Sequence, residues 1–242
     1  MRADGAAILV IGNEVLSGSV EDINSTFLMR ELRALGVETR RVCIVPDVLE
    51  EIRDELRLLS SRFEHVFTTG GVGPTHDDIT FEAVAAAFDR PLVHSEEMER
   101  VVRDFFGEKV NETWLRLATV PEGTELVWSE GLPFPVTRIE NVWVLPGEPT
   151  VMRAKFNGIR ERFRVTPILS RQVWVSLDEG DLAELLRRVE DESGVRVGSY
   201  PTYVPADYRV RISLEDRDGE AVAAAYRQLL AALPPEVVVR TA

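Results

Sequence analysis

The early part of the sequence repeats one pattern three times: an apolar run, a loop, and a stretch with apolar residues at helical spacing. The predicted strands and helices alternate along the chain as 6–11, 23–35, 39–45, 49–59, 65–69 and 81–88. Strands that alternate with helices pair in parallel through helical crossovers, and a continuous apolar run such as 6–11 is typical of a strand covered on both faces. We therefore predict a doubly wound α/β sheet.

The pattern changes after residue 163. The middle of the chain predicts helices at 96–106, 111–118 and 150–163 and strands at 124–128 and 141–145. The last part predicts, in order, a strand at 172–177, a helix at 181–190, strands at 195–199 and 208–214, a helix at 221–233 and a strand at 237–239. This β-α-β-β-α-β order is typical of a ferredoxin-like unit. We predict an α/β domain over residues 1–166 and a small α+β domain over 170–242.

Composition narrows the possible partners. The chain has 28 Lys and Arg against 41 Asp and Glu, a formal net charge of -13, and such an acidic surface repels nucleic acid. No stretch approaches the roughly 20 apolar residues of a membrane span, so no membrane association is expected. The single cysteine, Cys43, and the absence of a signal-peptide pattern favour the cytoplasm.

Four loops of unusual composition follow predicted strands, at residues 12–18, 46–47, 70–78 and 146–149. Open α/β sheets bind ligands at the carboxyl ends of their parallel strands. Glycines in such loops let backbone N–H groups approach phosphate oxygens, and the helix that follows adds its positive end. The sequence therefore predicts a phosphate-bearing ligand at this edge.

Acidic residues are concentrated in or near the same loops, namely Glu14, Asp22, Asp47, Asp77 and Asp78. Several carboxylates beside a phosphate require a cation, and Mg²⁺ prefers such oxygen ligands. Capping is the alternative for Asp77, Asp78 and Asp22, because each precedes a predicted helix. There is no G-x-x-x-x-G-K-[ST] and no G-x-S-x-G, so a P-loop enzyme or an α/β-hydrolase is not expected.

Residues 69–80 resemble the molybdopterin-binding domain of the MoaB/MogA/CinA superfamily. Residues 11–18, 22–24 and 145–149 are similar to the CinA branch, and 45–47, 73–84 and 198–201 are similar to the N-terminal domain of eukaryotic FAD synthase, the nearest likeness. The resemblance runs from about residue 7 to residue 233. It implies a three-layer α/β/α fold with a mostly parallel sheet, followed by the small ferredoxin-like α+β unit.

The resemblance also implies an activity. It points to a metal-dependent nucleotide pyrophosphatase that hydrolyses a dinucleotide such as FAD or ADP-ribose to AMP and a second phosphate, with Mg²⁺ or Co²⁺ and a possible K⁺ requirement. The alternative is a non-catalytic module that binds molybdopterin or a nucleotide in molybdenum cofactor metabolism. A homo-oligomer, dimer or trimer, is expected. Neither FAD synthesis nor nicotinamide nucleotide deamidation is expected, because each belongs to a further domain.

The site residues follow from the loops and the resemblance together. Asp78 and Asp47 are the predicted catalytic carboxylates. The predicted metal ligands are Glu14, Asp47, Asp77 and Asp78. The predicted ligand-binding residues are Gly12, Asn13, Glu14, Ser17, Gly18, Asn24, Thr69, Gly70, Gly71, Gly73, Pro74, Thr75, Thr80, Pro146, Gly147, Glu148 and Pro149.

Overall fold

The computed structural model describes residues 3–242, with side chains described from Gly5 onward. The chain divides into two compact units, one ending at Val165 and the other spanning Thr166–Ala242. In the part of the chain that is described, none of the helices has the length and apolar character needed to cross a membrane.

The first unit combines eight strands with seven α-helices among the residues that the structure describes. Its strands are β1 (Ala3–Ile11), β2 (Thr39–Val45), β3 (Phe63–Thr69), β4 (Leu92–His94), β5 (Thr119–Pro121), β6 (Glu125–Val127), β7 (Val136–Ile139) and β8 (Val142–Leu145). Its helices are α1 (Asn13–Leu16), α2 (Ile23–Ala34), α3 (Leu49–Arg62), α4 (Thr80–Ala87), α5 (Glu96–Phe106), α6 (Glu112–Leu115) and α7 (Pro149–Ile159). Short 3-10 turns follow α5, α6 and α7.

The main sheet has six strands in the order β2-β1-β3-β8-β7-β6. Strands β2, β1, β3 and β8 run parallel, while β7 and β6 add an antiparallel edge. Strands β4 and β5 form a separate antiparallel pair. The prediction of a mostly parallel sheet is confirmed.

Strand β1 explains why residues 6–11 are continuously apolar. Ala6, Ile8 and Val10 face a core formed with α2 and α7, whereas Ala7, Leu9 and Ile11 face a core formed with α3 and α4. Successive side chains of a strand point to opposite faces, so a strand between two helical layers buries every residue. The result is the predicted three-layer α/β/α arrangement.

The strand register determines where the loops meet. Ile11 is level with Val45, Val10 with Thr69, and Thr69 with Leu145. Because the four parallel strands end almost level, the loops that follow β1, β2, β3 and β8 emerge side by side at one edge.

The second unit is a four-stranded antiparallel sheet covered by two helices. Its elements are β9 (Leu169–Val175), α8 (Glu179–Ser193), β10 (Arg196–Pro201), β11 (Val210–Asp216), α9 (Gly219–Ala232) and β12 (Val238–Thr241). The strand order β10-β11-β9-β12 is that of a ferredoxin-like unit. Val210, Ile212 and Leu214 face one core with Leu186 of α8 and Leu229 of α9, as their alternation in the sequence indicates.

Helix α1 lies where the sequence predicted a loop, and strand β7 lies where the sequence predicted no element. Strand β7 has four residues and follows Pro133 and Pro135, so its apolar pattern is short and follows residues typical of turns. It pairs with β8 through a tight turn in which Glu140 has a φ of 51°. Pairing with a neighbour, rather than local pattern, therefore stabilises this strand.

Gly70 lies where the loops after β1 and β3 approach each other closely. Its φ is 109°, and a Cβ atom there would lie 2.0 Å from the carbonyl oxygen of Ile11. We predict that Gly70→Ala lowers the free energy of unfolding by about 2–4 kcal/mol, measured by urea denaturation. Gly18→Ala is the matched control, because Gly18 has a φ of 74° but no atom within 4 Å of an added Cβ, and about 1 kcal/mol is expected. Equal losses would contradict the close approach.

Candidate functional site

The four loops predicted to bind a ligand lie at one edge of the sheet. They follow β1, β2, β3 and β8, which are neighbours in the order β2-β1-β3-β8. The sequence could place these loops at strand ends, but the strand order that makes them neighbours comes from the structure.

Asn24 connects two of these loops from the first turn of α2. Its Nδ2 atom donates to the Thr69 hydroxyl at 2.9 Å and to the Gly147 carbonyl at 2.8 Å. The Thr69 hydroxyl in turn donates to the Pro146 carbonyl at 2.9 Å. Asn24 is 8 % exposed, and its Oδ1 atom is buried without a hydrogen-bond partner among the described residues. Asn24 therefore fixes the loops after β3 and β8 relative to each other.

Thr80, the first residue of α4, fixes residues 70–78, which we call the glycine loop, through two hydrogen bonds. Its hydroxyl donates to the Gly70 carbonyl at 2.8 Å, and its backbone N–H donates to the Gly71 carbonyl at 3.0 Å. Thr80 and Thr69 are 0 % and 1 % exposed. Thr69 and Thr80 are therefore buried beneath the edge, where their hydroxyls hold the loops, and their predicted contact with a ligand stays a prediction.

The side chain of Asp78, at the end of the glycine loop, accepts hydrogen bonds from Thr75 of the same loop. Its Oδ2 atom accepts hydrogen bonds from the Thr75 backbone N–H at 2.8 Å and from the Thr75 hydroxyl. A Cβ atom on Gly73 would lie 2.6 Å from that oxygen, so the glycine permits the close approach. The Oδ1 atom of Asp78 makes no hydrogen bond within the described chain.

Helix α4 begins without a side-chain cap. Its N-cap residue is Ile79, so neither Asp77 nor Asp78 takes the capping role that the sequence left open. The N-terminal N–H groups of an uncapped helix require partners from outside the helix. The Gly71 carbonyl is the partner of the Thr80 N–H, and water or an anion at this edge can pair with the N–H groups that follow.

Asp47 joins the loop after β2 to the start of α1. Its Oδ2 atom accepts from the Asn13 backbone N–H at 2.8 Å, while its other oxygen makes no hydrogen bond within the described chain. The Glu14 carboxylate lies over Gly12, where an added Cβ would approach it to 2.5 Å. The Ser17 hydroxyl donates to the Glu14 carbonyl at 3.1 Å. The loop after β1 is therefore a compact turn with exposed polar side chains.

Two other acidic residues are helix caps. Asp22 accepts from the Ser25 backbone N–H at 2.9 Å and caps α2, as the capping alternative foresaw. Glu148 caps α7 by accepting from the Val151 backbone N–H at 2.7 Å, followed by Pro149 in the first turn. Hydrogen bonds from the backbone of Val151 and Thr150 lower the pKa of Glu148.

The remaining carboxylates form no complete metal site among the described residues. Asp77 is exposed, and the nearby Thr75 side chain, together with its own backbone N–H, lowers its pKa. Within residues 3–242, no group of three or more His, Cys, Asp or Glu is arranged to hold a metal ion. The metal site predicted from Glu14, Asp47, Asp77 and Asp78 therefore stays a prediction, and it requires oxygen ligands from a bound phosphate.

Arg116 places a positive charge near the glycine loop. Its guanidinium donates to the Thr75 carbonyl at 2.9 Å and lies 3.8 Å from the Glu82 carboxylate. No local pattern predicted this contact, because Arg116 lies 41 residues further along the chain than Thr75.

A cavity of about 530 Å³ adjoins the same loop and was missed by the sequence reasoning. We call it the aromatic pocket. Its defining residues are Phe105, Phe106, Trp114, Phe134 and Lys155, and it also includes Gly73, Pro74 and Pro146. Phe106 and Trp114 stack with ring centroids 3.9 Å apart. These aromatic residues come from separate segments whose local patterns do not distinguish a pocket from a core.

Lys155 is the positively charged group of the aromatic pocket. Its ammonium donates to the Pro135 carbonyl and lies 5.9 Å from the centroid of the Phe134 ring. Burial lowers the pKa of Lys155 to about 8. Among the described residues, no carboxylate forms a salt bridge with it.

Comparison with known proteins agrees with the two-unit structure. Residues 7–164 match the family model described as a probable molybdopterin binding domain, and residues 167–242 match the FAD synthase middle domain. The solved structure of CinA from Thermoplasma acidophilum has a TM-score of 0.61 and 26 % identity, and covers 66 % of this chain and 98 % of that one.

Relatives of two lengths align with the chain. A probable FAD synthase of Caenorhabditis elegans is 35 % identical over 93 % of this chain, but only 50 % of its own length is covered. A protein of Archaeoglobus fulgidus is 35 % identical over 91 % of this chain and 94 % of its own length. The chain thus spans about half the length of the FAD synthase relatives that it matches.

The role of Asn24 can be separated from ordinary stability by comparison with Asn141. Asn141 precedes β8 at the opposite end of the sheet, is 5 % exposed, and donates to the carbonyls of Ser60 and Phe63. We predict that Asn24→Ala and Asn141→Ala each cost about 2 kcal/mol of stability, because each leaves backbone acceptors unpaired. Only Asn24→Ala should weaken ADP-ribose binding, by tenfold or more in calorimetry. Equal binding by both variants would contradict the role of Asn24.

Lys155 yields a prediction for pH-dependent stability. The folded state lowers its pKa from 10.5 to about 8, so below pH 8 the folded protein carries the full penalty of a buried charge. We predict that Lys155→Met raises the free energy of unfolding at pH 7 by about 1–2 kcal/mol, and that this gain shrinks as pH rises from 8 to 10.5. Urea denaturation at pH 7 and pH 10 measures it, with the exposed Lys109→Met as control. A less stable Lys155→Met variant at pH 7 would contradict the prediction.

Proposed function

We propose that this chain, which belongs to the family of probable molybdopterin binding domains, is a metal-dependent nucleotide pyrophosphatase. Its substrate would be a dinucleotide such as FAD or ADP-ribose, cleaved to AMP and a second phosphate. One observation carries the proposal. Asp47 and Asp78 each have one carboxylate oxygen fixed by the chain and one uncommitted, at the edge where the glycine loop and an uncapped helix end lie.

The loop backbone supports a phosphate ligand. Gly70, Gly71 and Gly73 lack side chains that would block an oxygen atom, and the N–H groups that follow Thr80 at the N-terminus of α4 would add donors. The net charge of -13 makes such local donors necessary, because the surface as a whole repels an anion. A relative named probable FAD synthase, of which the chain covers 50 % of the length, supports a nucleotide as the phosphate-bearing ligand.

The carboxylates fit a hard divalent cation. Mg²⁺ is commonly held by one or two carboxylates together with substrate phosphate oxygens. Asp47 and Asp78 would provide the uncommitted oxygens, with Glu14 and Asp77 as further candidate ligands. When bound, Mg²⁺ or Co²⁺ would withdraw negative charge from the phosphate oxygens. A K⁺ ion is a further candidate at the same edge.

Asp78 would orient and deprotonate the attacking water. Its Oδ2 atom is fixed by the two Thr75 donors, which direct the free Oδ1 atom. The water oxygen bonds to one phosphorus as the bridging P–O bond breaks, and the water proton passes to Asp78. Both products leave as phosphate monoesters.

A non-catalytic module that binds molybdopterin or a nucleotide is the second candidate. The observation that favours it is that no group of three or more His, Cys, Asp or Glu is arranged as a metal site in the described chain. The description of the matched family also names binding alone. In either case we expect a homo-oligomer, a dimer or trimer, which sedimentation would measure.

The test is AMP release. Purified protein is incubated with FAD, ADP-ribose or NADH and with Mg²⁺ or Co²⁺ plus K⁺, and AMP is quantified by chromatography. We predict that Asp78→Asn lowers kcat by about 10²–10⁴-fold while the melting temperature stays unchanged, because a general base is lost. Asp181→Asn, which alters an exposed carboxylate of the second unit, should keep full activity.

Two outcomes would overturn the assignment. Full activity of Asp78→Asn would remove Asp78 from the reaction. Absence of AMP from all three substrates, combined with tight binding in calorimetry, would favour the binding module.

A further inference from the structure

We propose that the aromatic pocket binds the non-adenine end of the ligand, a planar heteroaromatic ring that carries carbonyl groups, of the flavin class. The inference deepens the proposed function and rests on it in one respect: the ring is attached to the phosphate held at the glycine loop. The assignment adds a specificity site that the carboxylates and glycines of the strand edge do not provide.

Continuity with the phosphate loop is the first argument. Gly73 and Pro74 of the glycine loop and Pro146 of the loop after β8 also line the aromatic pocket. A ligand with its phosphate on these loops can therefore extend directly into the pocket. The volume of about 530 Å³ lies within the range of small-molecule sites.

The walls fit a flat conjugated ring. Phe105 and Phe106 are consecutive residues of α5, and Phe134 lies 5.1 Å from Phe105 and 6.1 Å from Phe106 between ring centroids. Trp114 stacks on Phe106. Phe105 is 54 % exposed, which is costly for a large apolar side chain unless a ligand covers it. Aromatic rings prefer stacked or edge-to-face contacts, and these walls supply surfaces for both.

Lys155 specifies which kind of ring fits. An ammonium has three donors, and the Pro135 carbonyl is the one acceptor that it contacts among the described residues. A partly buried ammonium with a single protein acceptor has lost water that the protein does not fully replace, so further acceptors from a ligand would offset that cost. Carbonyl oxygens of a flavin-type ring are such acceptors.

A protein partner fits less well. A flat apolar surface of a partner would cover Phe105 but would give the Lys155 ammonium no acceptor besides the Pro135 carbonyl. The site is also concave, as expected of a small-molecule site with a few placed polar groups. We therefore assign the pocket to a ring.

Riboflavin is the direct probe, because it has the ring but no phosphate. Its binding to the full chain is measured by quenching of flavin fluorescence without metal, so the readout is independent of hydrolysis. We expect saturable binding that Trp114→Leu, Phe105→Ala and Lys155→Met each weaken about tenfold. Trp128→Leu is the matched control, since Trp128 is 46 % exposed, donates to Glu97 and lies outside the pocket, and its binding should be unchanged.

Substrate preference gives the second readout. ADP-ribose has the same pyrophosphate and adenosine but no second ring. We expect Trp114→Leu and Phe105→Ala to lower the ratio of kcat/KM for FAD to that for ADP-ribose about tenfold, mainly through KM for FAD. Circular dichroism confirms that each variant is folded, and Phe105→Ala, at an exposed position, covers the case in which Trp114→Leu is not.

The outcomes separate the two proposals. AMP release without riboflavin binding, or with equal binding by every variant, overturns the ring site and leaves the proposed function intact. Riboflavin binding that the pocket variants weaken, without AMP from any substrate, supports the ring site and overturns the pyrophosphatase.

Discussion

Four parallel strands end level with one another, and this register brings the rest of the site together. Ile11, Val45, Thr69 and Leu145 lie at these ends, each followed at once by a loop. The loops approach so closely that Gly70 has no room for a Cβ atom against Ile11. Backbone N–H groups and short polar side chains are therefore concentrated at one edge, as in other open α/β sheets that bind ligands there. The helical layers bury both faces of the sheet that carries this edge.

The carboxylates at this edge fall into two groups, those that cap helices and those that keep one oxygen uncommitted. Asp22 and Glu148 satisfy helix N-termini, a local use that their positions before Ile23 and Pro149 allow. Asp47 and Asp78 also accept backbone hydrogen bonds, but each keeps one oxygen uncommitted. In a chain with a net charge of -13, two free carboxylates beside a phosphate are unfavourable unless a cation joins them. The hydrogen bonds that hold the edge together therefore do not use these two oxygens.

The sequence predicted correctly those features that depend on a single strand or helix. Alternating cores explain the apolar run in β1, and helix α5 runs from Glu96 to Phe106 as its periodicity predicted. Long-range contacts were out of reach. Asn24 is buried and joins Thr69 to Gly147, which lies 123 residues further along the chain than Asn24, and no local pattern indicated this contact. The aromatic pocket depends on side chains from separate segments, so no local pattern distinguished it from a core.

We propose that bound phosphate completes a cation site that the chain alone leaves unfinished. Calorimetric titration of Mn²⁺ with and without AMP, in wild type, Asp47→Asn and Asp78→Asn, tests it most directly. We predict weak Mn²⁺ binding to the free protein, binding at least tenfold tighter with AMP, and loss of that gain in both variants. Tight Mn²⁺ binding without AMP, or an AMP effect that both variants retain, would contradict the account.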